Sequence, residues 1–170
     1  MSTEGAFGWR VDGADKIGYN HFDSYPTGLG IDVLHFIKKL GSIEAVRAFA
    51  EEVKLVDDDE ADVFDGRTFQ KEFYDRSSFM HDSLICEWAY IVNADTEMLE
   101  VYKGFNHNPK AEGRYILPAK ETSLHSGDKY YGVALVKEIP LKDVFDGKVE
   151  RFSLKDEKSF EDLAELSSKD

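Results

Sequence analysis

The feature that most constrains this chain is a pair of alternating segments near its centre. Over residues 83–92, Ile85, Glu87, Ala89 and Ile91 alternate with Cys86, Trp88, Tyr90 and Val92. A period of two in aromatic and β-branched residues is the mark of a strand. Asn93-Ala94-Asp95-Thr96 has turn composition, and residues 98–105 alternate again, with Leu99, Val101 and Lys103 set against Met98, Glu100, Tyr102 and Gly104. Two such runs joined by a short polar turn predict a β-hairpin. The chain must therefore build a sheet, and the remaining segments must supply the layer that covers it.

A second hairpin is expected at the N-terminus. Phe7, Trp9 and Val11 share one side of residues 5–12, Asp12-Gly13-Ala14-Asp15 turns, and residues 16–22 return. From Gly30 the period changes. Ile31, Leu34 and Ile37 with Val33, Phe36 and Leu40 have helical spacing, Gly41-Ser42 ends that helix and caps the next, and Ile43, Val46, Phe49, Ala50 and Val53 carry a second amphipathic helix. Phe69, Phe73 and Tyr74 suggest a short helix within residues 67–82. Residues 131–139 read as a further strand stopped by Pro140, and Phe160, Leu163 and Leu166 mark a short surface helix in the charged tail. The pentamer Asp-Val-Phe-Asp-Gly, at 62–66 and 143–147, reads both times as an apolar pair before an Asp-Gly turn. The resulting expectation is an α+β fold, an antiparallel sheet built from hairpins with helices packed on one face. Residues 1–152 would form one globular domain and 153–170 a charged helix or tail.

Charge limits the function classes. The net charge of −13 disfavours nucleic-acid binding through direct basic contact. Asp57, Asp58, Asp59, Glu60, Asp62 and Asp65 crowd into residues 57–65 without a base, as a solvated loop or a docking surface for a basic partner. Cys86 is the only cysteine, which excludes an internal disulfide and a thiolate zinc site, and its apolar neighbours Leu84 and Ile85 predict a buried, inert thiol. No apolar run reaches membrane-spanning length, and Met1-Ser2-Thr3-Glu4-Gly5-Ala6 has no leader pattern, so a soluble cytoplasmic protein is expected.

Polar chemistry concentrates in Tyr19-Asn20-His21-Phe22-Asp23-Ser24-Tyr25-Pro26-Thr27-Gly28-Leu29-Gly30. Proline and glycine make this a chain reversal between hairpin and helix. The pattern Tyr-x-His-(Trp/Phe)-Asp-x-Tyr-Pro-x-x-x-Gly resembles a set of small uncharacterised proteins of bacteria and their phages. Their core reads His-Trp-Asp-Gly-Tyr-Pro, and a later strand carries an acid followed by aromatics, as in Glu87-Trp88-Ala89-Tyr90 here. This chain departs from the pattern at Phe22 and Ser24. The resemblance implies a shared fold and site location, and no reaction.

The leading expectation is a site for a small ligand or protein partner formed by Tyr19, Asn20, His21, Asp23 and Tyr25, with Glu87 and Tyr90 added from the neighbouring strand. The architectural alternative is that Asp23 caps the turn and His21 bonds backbone. A metal at His21 and Asp23 would need further ligands from Glu87, His81, Asp82 or His107, so neither metal nor cofactor is called for. Two other classes stay open. Removal of Met1 would free the amine of Ser2, the arrangement of an N-terminal-nucleophile amidohydrolase, with Arg10 and Asn93 as charge and oxyanion partners. An acidic protein docking on a basic partner surface is the other.

Overall fold

The computed structural model describes residues 3–56, 71–74, 77–116, 123–125 and 128–168. The N-terminal hairpin pairs β1 (Gly5–Val11) with β2 (Ala14–Asn20) through a two-residue turn. Asp12 and Gly13 both take positive φ, 52° and 75°, the left-handed backbone that matches the twist of the flanking strands. Pro26–Gly30 forms a wide helical turn that runs into α1 (Ile31–Leu40). Gly41 ends α1 in the left-handed region and Ser42 caps α2 (Ile43–Glu52), its Oγ accepting from Ala45 N–H at 3.2 Å.

Two short strands follow, β3 (Lys54–Val56) and β4 (Glu72–Tyr74), paired parallel. The short helix expected in 67–82 is thus replaced by a strand and, at Ser77–His81, by a single 3-10 turn. Adjacent Phe73 and Tyr74 fit either period, and pairing with Leu55 and Val56 decides for the strand. Phe69, the acidic run 57–65 and the first pentamer copy lie outside the described residues.

The central hairpin pairs β5 (Trp88–Asn93) with β6 (Met98–Lys103). The strand expected from 83 starts only at Trp88, because Ile85 and Cys86 both donate to Asp82 O, at 3.3 and 2.9 Å, and close a turn instead. A small hairpin of β7 (Ser123–His125) and β8 (Asp128–Tyr130) precedes β9 (Ala134–Pro140). Pro140 then opens α3 (Leu141–Phe145), a helix that the sequence reading did not anticipate; it ends in the expected Asp146-Gly147 turn. The chain finishes in α4 (Leu154–Ser168), which Phe160 docks against Trp88 and Phe152 at ring-centroid distances of 6.4 and 5.7 Å.

The fold is α+β. The main sheet has the order β2-β1-β5-β6-β9 and is antiparallel except at its middle, where β1 and β5 run parallel. Alternation sends Phe7, Trp9, Val11, Trp88, Tyr90, Val92, Leu99 and Val101 to one face. There they meet Leu29, Val33, Leu34 and Ile37 of the first helical stretch, Val46 and Ala50 of α2, and Leu141, Val144 and Phe160 from the later helices. The helices cover this face, as expected from the sequence. The opposite face is buried too, with Ala6, Ile17, Ala89, Ile91 and Tyr102 lying under Met80, Tyr115 and Val133. Irregular segments, not helices, cover that side.

Candidate functional site

The turn after β2 rests on a buried polar footing. Asn20 and Ser24 are 1% and 0% exposed. The Asn20 amide donates both protons, to Phe22 O and to Ser24 Oγ, each at 2.7 Å. Ser24 N–H reaches Thr3 O at 3.3 Å, and the Ser24 carbonyl accepts from the Tyr90 hydroxyl at 2.8 Å. Burial, followed by Glu157 and Asp23, pushes the Tyr90 phenol well up, so it stays a neutral donor. Asn20 and Tyr90, both expected among the ligand contacts, are therefore internal supports.

Asp23 stands on this footing with φ 53°, a conformation that Asp tolerates better than most residues. Its carbonyl accepts Leu29 N–H at 2.9 Å, while no hydrogen bond to its carboxylate is found among the described residues. The carboxylate folds over Gly28: a Cβ there would fall 2.3 Å from Asp23 Oδ1. Gly30 is equally constrained, since a Cβ would lie 2.8 Å from the Phe152 ring and 3.3 Å from that of Tyr90. Both glycines are thus required by close approach. Half-buried Tyr25 contributes its carbonyl, which accepts from Gly28 and Gly30 at 2.9 and 3.2 Å.

Tyr19 and His21 lie on the sheet's other face. His21 Nδ1 is 2.9 Å from the Tyr19 hydroxyl, so His21 bonds a side chain rather than backbone. Their rings continue a line of aromatic contacts, Phe22–His21 at 4.8 Å, His21–Tyr19 at 5.4 Å and Tyr19–Phe79 at 5.2 Å. Phe22, at the end of this line, is 64% exposed. Glu87 is occupied elsewhere: its carboxylate accepts Glu4 N–H at 3.1 Å, and its own N–H bonds Glu4 O at 3.0 Å. Among the described residues no hydrogen bond or ion pair links His21, Asp23 and Glu87. The expected seven residues therefore divide into two internal supports, three exposed or half-exposed turn residues, one edge aromatic and one strand-pairing acid.

Ser2 lies outside the described residues. Its proposed partners Arg10 and Asn93 are both described and both engaged. Arg10 pairs with Asn93 in the β1–β5 register, five residues up the strand from Gly5, or about 16 Å at the usual rise. Arg10 is bound to Asp15 at 2.8 Å, and Asn93 Nδ2 donates to Glu100 at 3.2 Å. No three His, Cys, Asp or Glu side chains among the described residues converge as a metal-ligand set. No helix among them is long and apolar enough to cross a membrane.

The densest polar cluster escaped the sequence reading. Glu100, 4% exposed, receives both arms of Arg114 at 2.8 and 2.6 Å, the Tyr102 hydroxyl at 3.0 Å and Asn93 Nδ2. The Tyr115 hydroxyl donates to Asp15 at 2.8 Å and lies 3.1 Å from Arg114. Burial is the largest single influence on Arg114 and opposes its charge, but the bonds to Glu100 together with the Tyr102, Tyr115 and Glu100 electrostatics raise its pKa overall. Burial above all, then Glu100 for Tyr102 and Asp15 for Tyr115, pushes both phenols up and keeps them protonated. With Arg10 on Asp15 two carboxylates face two guanidinium groups, so this network fastens the segment around Arg114 and Tyr115 over the second face.

Comparison of the chain with protein-family models, with curated proteins and with solved structures finds no match.

Proposed function

We propose that this protein is a binding module that takes a small ligand or a protein partner at the turn of residues 19–30. The contacts fall to His21, Asp23 and Tyr25, together with the exposed Phe22 ring. One observation carries this reading: exposed side chains stand on a buried base that the Asn20 amide protons, Ser24 and the Tyr90 hydroxyl tie together by hydrogen bonds, with Asn20 Oδ1 left unpaired among the described residues. Asn20, Ser24 and Tyr90 fix the backbone beneath Asp23. A preformed surface avoids the ordering cost that a mobile loop would bring to binding. The Asp23 carboxylate and the outer nitrogen of His21 are left for a guest, since His21 uses Nδ1 internally.

The test is amide NMR of the full chain during titration with a fragment library and with cell extract fractions. Shifts should cluster at residues 19–30, and His21→Ala and Asp23→Asn should abolish them while the remaining spectrum is retained. Shifts confined to other surfaces would refute the reading.

A further inference from the structure

We infer that one internal water molecule is bound beneath the turn of residues 19–30, held by Thr3, Asn20 and Ser24. The site goes beyond the binding reading of the turn and stands whether or not the outer surface takes a guest. Buried polar groups are nearly always hydrogen bonded, and the exceptions mark where an ordered water or an ion belongs. Among the described residues, three buried side-chain atoms have no hydrogen-bond partner: Thr3 Oγ1, Asn20 Oδ1 and Trp9 Nε1. Trp9 stands apart, among the rings of Phe7, Phe36 and Phe49. Thr3 and Asn20 belong together, because Ser24 touches both.

Ser24 N–H bonds Thr3 O at 3.3 Å, and Ser24 Oγ lies 2.7 Å from Asn20 Nδ2. Gly5, which faces Asn20 across the hairpin, completes the enclosure. A Cβ on Gly5 would fall 2.7 Å from Ser24 Oγ, so only glycine lets the serine side chain lie against the strand. Thr3, Asn20 and Ser24 are each at most 1% exposed. The open end of the hairpin thus gathers three polar side chains out of reach of bulk solvent.

The unused hydrogen-bonding capacity of these side chains matches one water. Phe22 O can only accept, so the bond it receives fixes which end of the Asn20 amide carries the nitrogen. Both amide protons are spent on Phe22 O and Ser24 Oγ, which leaves Asn20 with an acceptor, Oδ1. Ser24 Oγ accepts from Asn20 and keeps its own proton to give. Thr3 Oγ1 also has a proton to give, and no direct bond joins it to Asn20 Oδ1. A water that receives from Ser24 and Thr3 and donates to Asn20 satisfies all of them, and about three bonds is the usual number for an internal water. A metal ion fits worse, since it would bury its charge among side chains none of which is ionised. Such a water joins the approach to β1, the end of β2 and the turn through bonds that the side chains do not make directly.

The experiment pairs a high-resolution crystal structure of the full chain with urea denaturation of Thr3→Val. Valine keeps the branched shape of threonine and removes the hydroxyl. The crystal should show one isolated density peak about 2.7–3.1 Å from Thr3 Oγ1, Asn20 Oδ1 and Ser24 Oγ. Thr3→Val then deprives the water of a bond, so the urea midpoint should fall and Ser24 N–H should exchange faster with solvent. Were Thr3 Oγ1 unhydrated, the same substitution would only remove a buried polar atom, and the midpoint would hold or rise. A midpoint that holds or rises overturns the proposal. No peak, side chains closed directly on one another, or a main-chain nitrogen in that position overturns it too. A peak that grows heavier in a rubidium soak assigns the site to a cation and equally overturns the water.

Discussion

Tyr90 places one hydroxyl in a fully buried position for one acceptor, the Ser24 carbonyl. Tyr90→Phe leaves that carbonyl unsatisfied and should cost about 1–3 kcal/mol, read as a lower urea midpoint, with faster amide exchange in the turn. Glu100 shows the same effect at several donors. Glu100→Ala leaves the buried Tyr102 hydroxyl and Asn93 amide without their acceptor and takes both carboxylate bonds from Arg114, and should cost about 2 kcal/mol, whereas Glu100→Gln should recover much of it, measured by denaturation of the two variants. Asp95 contributes to the acid limb. The N–H groups of Gly13 and Asp12, with smaller help from Arg47, hold its carboxyl below the usual range. A depressed folded pKa adds stability above the unfolded value of about 3.9 and loses it as pH falls through the folded value. Asp95→Asn should therefore flatten the stability curve below about pH 4 and be costliest near neutrality, as urea melts across pH would show. At this scale the turn was legible because Pro26, Gly28 and Asp23 have local meanings. Glu100 was not: a strand acid usually faces water, and its partner Arg114 lies in a segment that only the closed sheet brings near.

Elements whose residues pair with near neighbours in sequence could be read from the chain. Both hairpins follow from period-two runs flanking turn residues, and α1 and α2 from helical spacing on either side of Gly41-Ser42. Short strands could not, because the three residues of β4 acquire their identity from β3. Nor could α3, which five residues after a proline do not announce. The edge strand β9 shows a further element-level property. Opposite the step from Val101 to Tyr102 its register passes from Lys137 to Leu135, which leaves Val136 as a bulge. Lys137, Glu138 and Pro140 are exposed beside it. Bulge, charge and proline are the devices that discourage edge-to-edge pairing. Replacing Lys137 and Glu138 together by valine should leave the melting temperature nearly unchanged and produce concentration-dependent oligomers by light scattering.

At the scale of the whole molecule the helices and irregular segments make the sheet a middle layer with two buried faces. Only the helical cover was foreseeable, since amphipathic spacing advertises a helix and nothing in composition advertises a structured loop. The sheet's central junction was equally hidden, because Gly5 joins Trp88 across half the chain. That parallel junction also sets an order of events during synthesis. β1 has β2 beside it at once, and Phe36 of α1 and Phe49 of α2 follow to meet Trp9, but its other edge stays unpaired until β5 has left the ribosome. Loops of this length close slowly, and strands awaiting distant partners are exposed to misassociation meanwhile. A chain ending at residue 87 should show no protected amides in β1, whereas one reaching residue 168 should protect them together with β5 in a single cooperative unit. The first hairpin, though the earliest element made, would then be among the last to become secure.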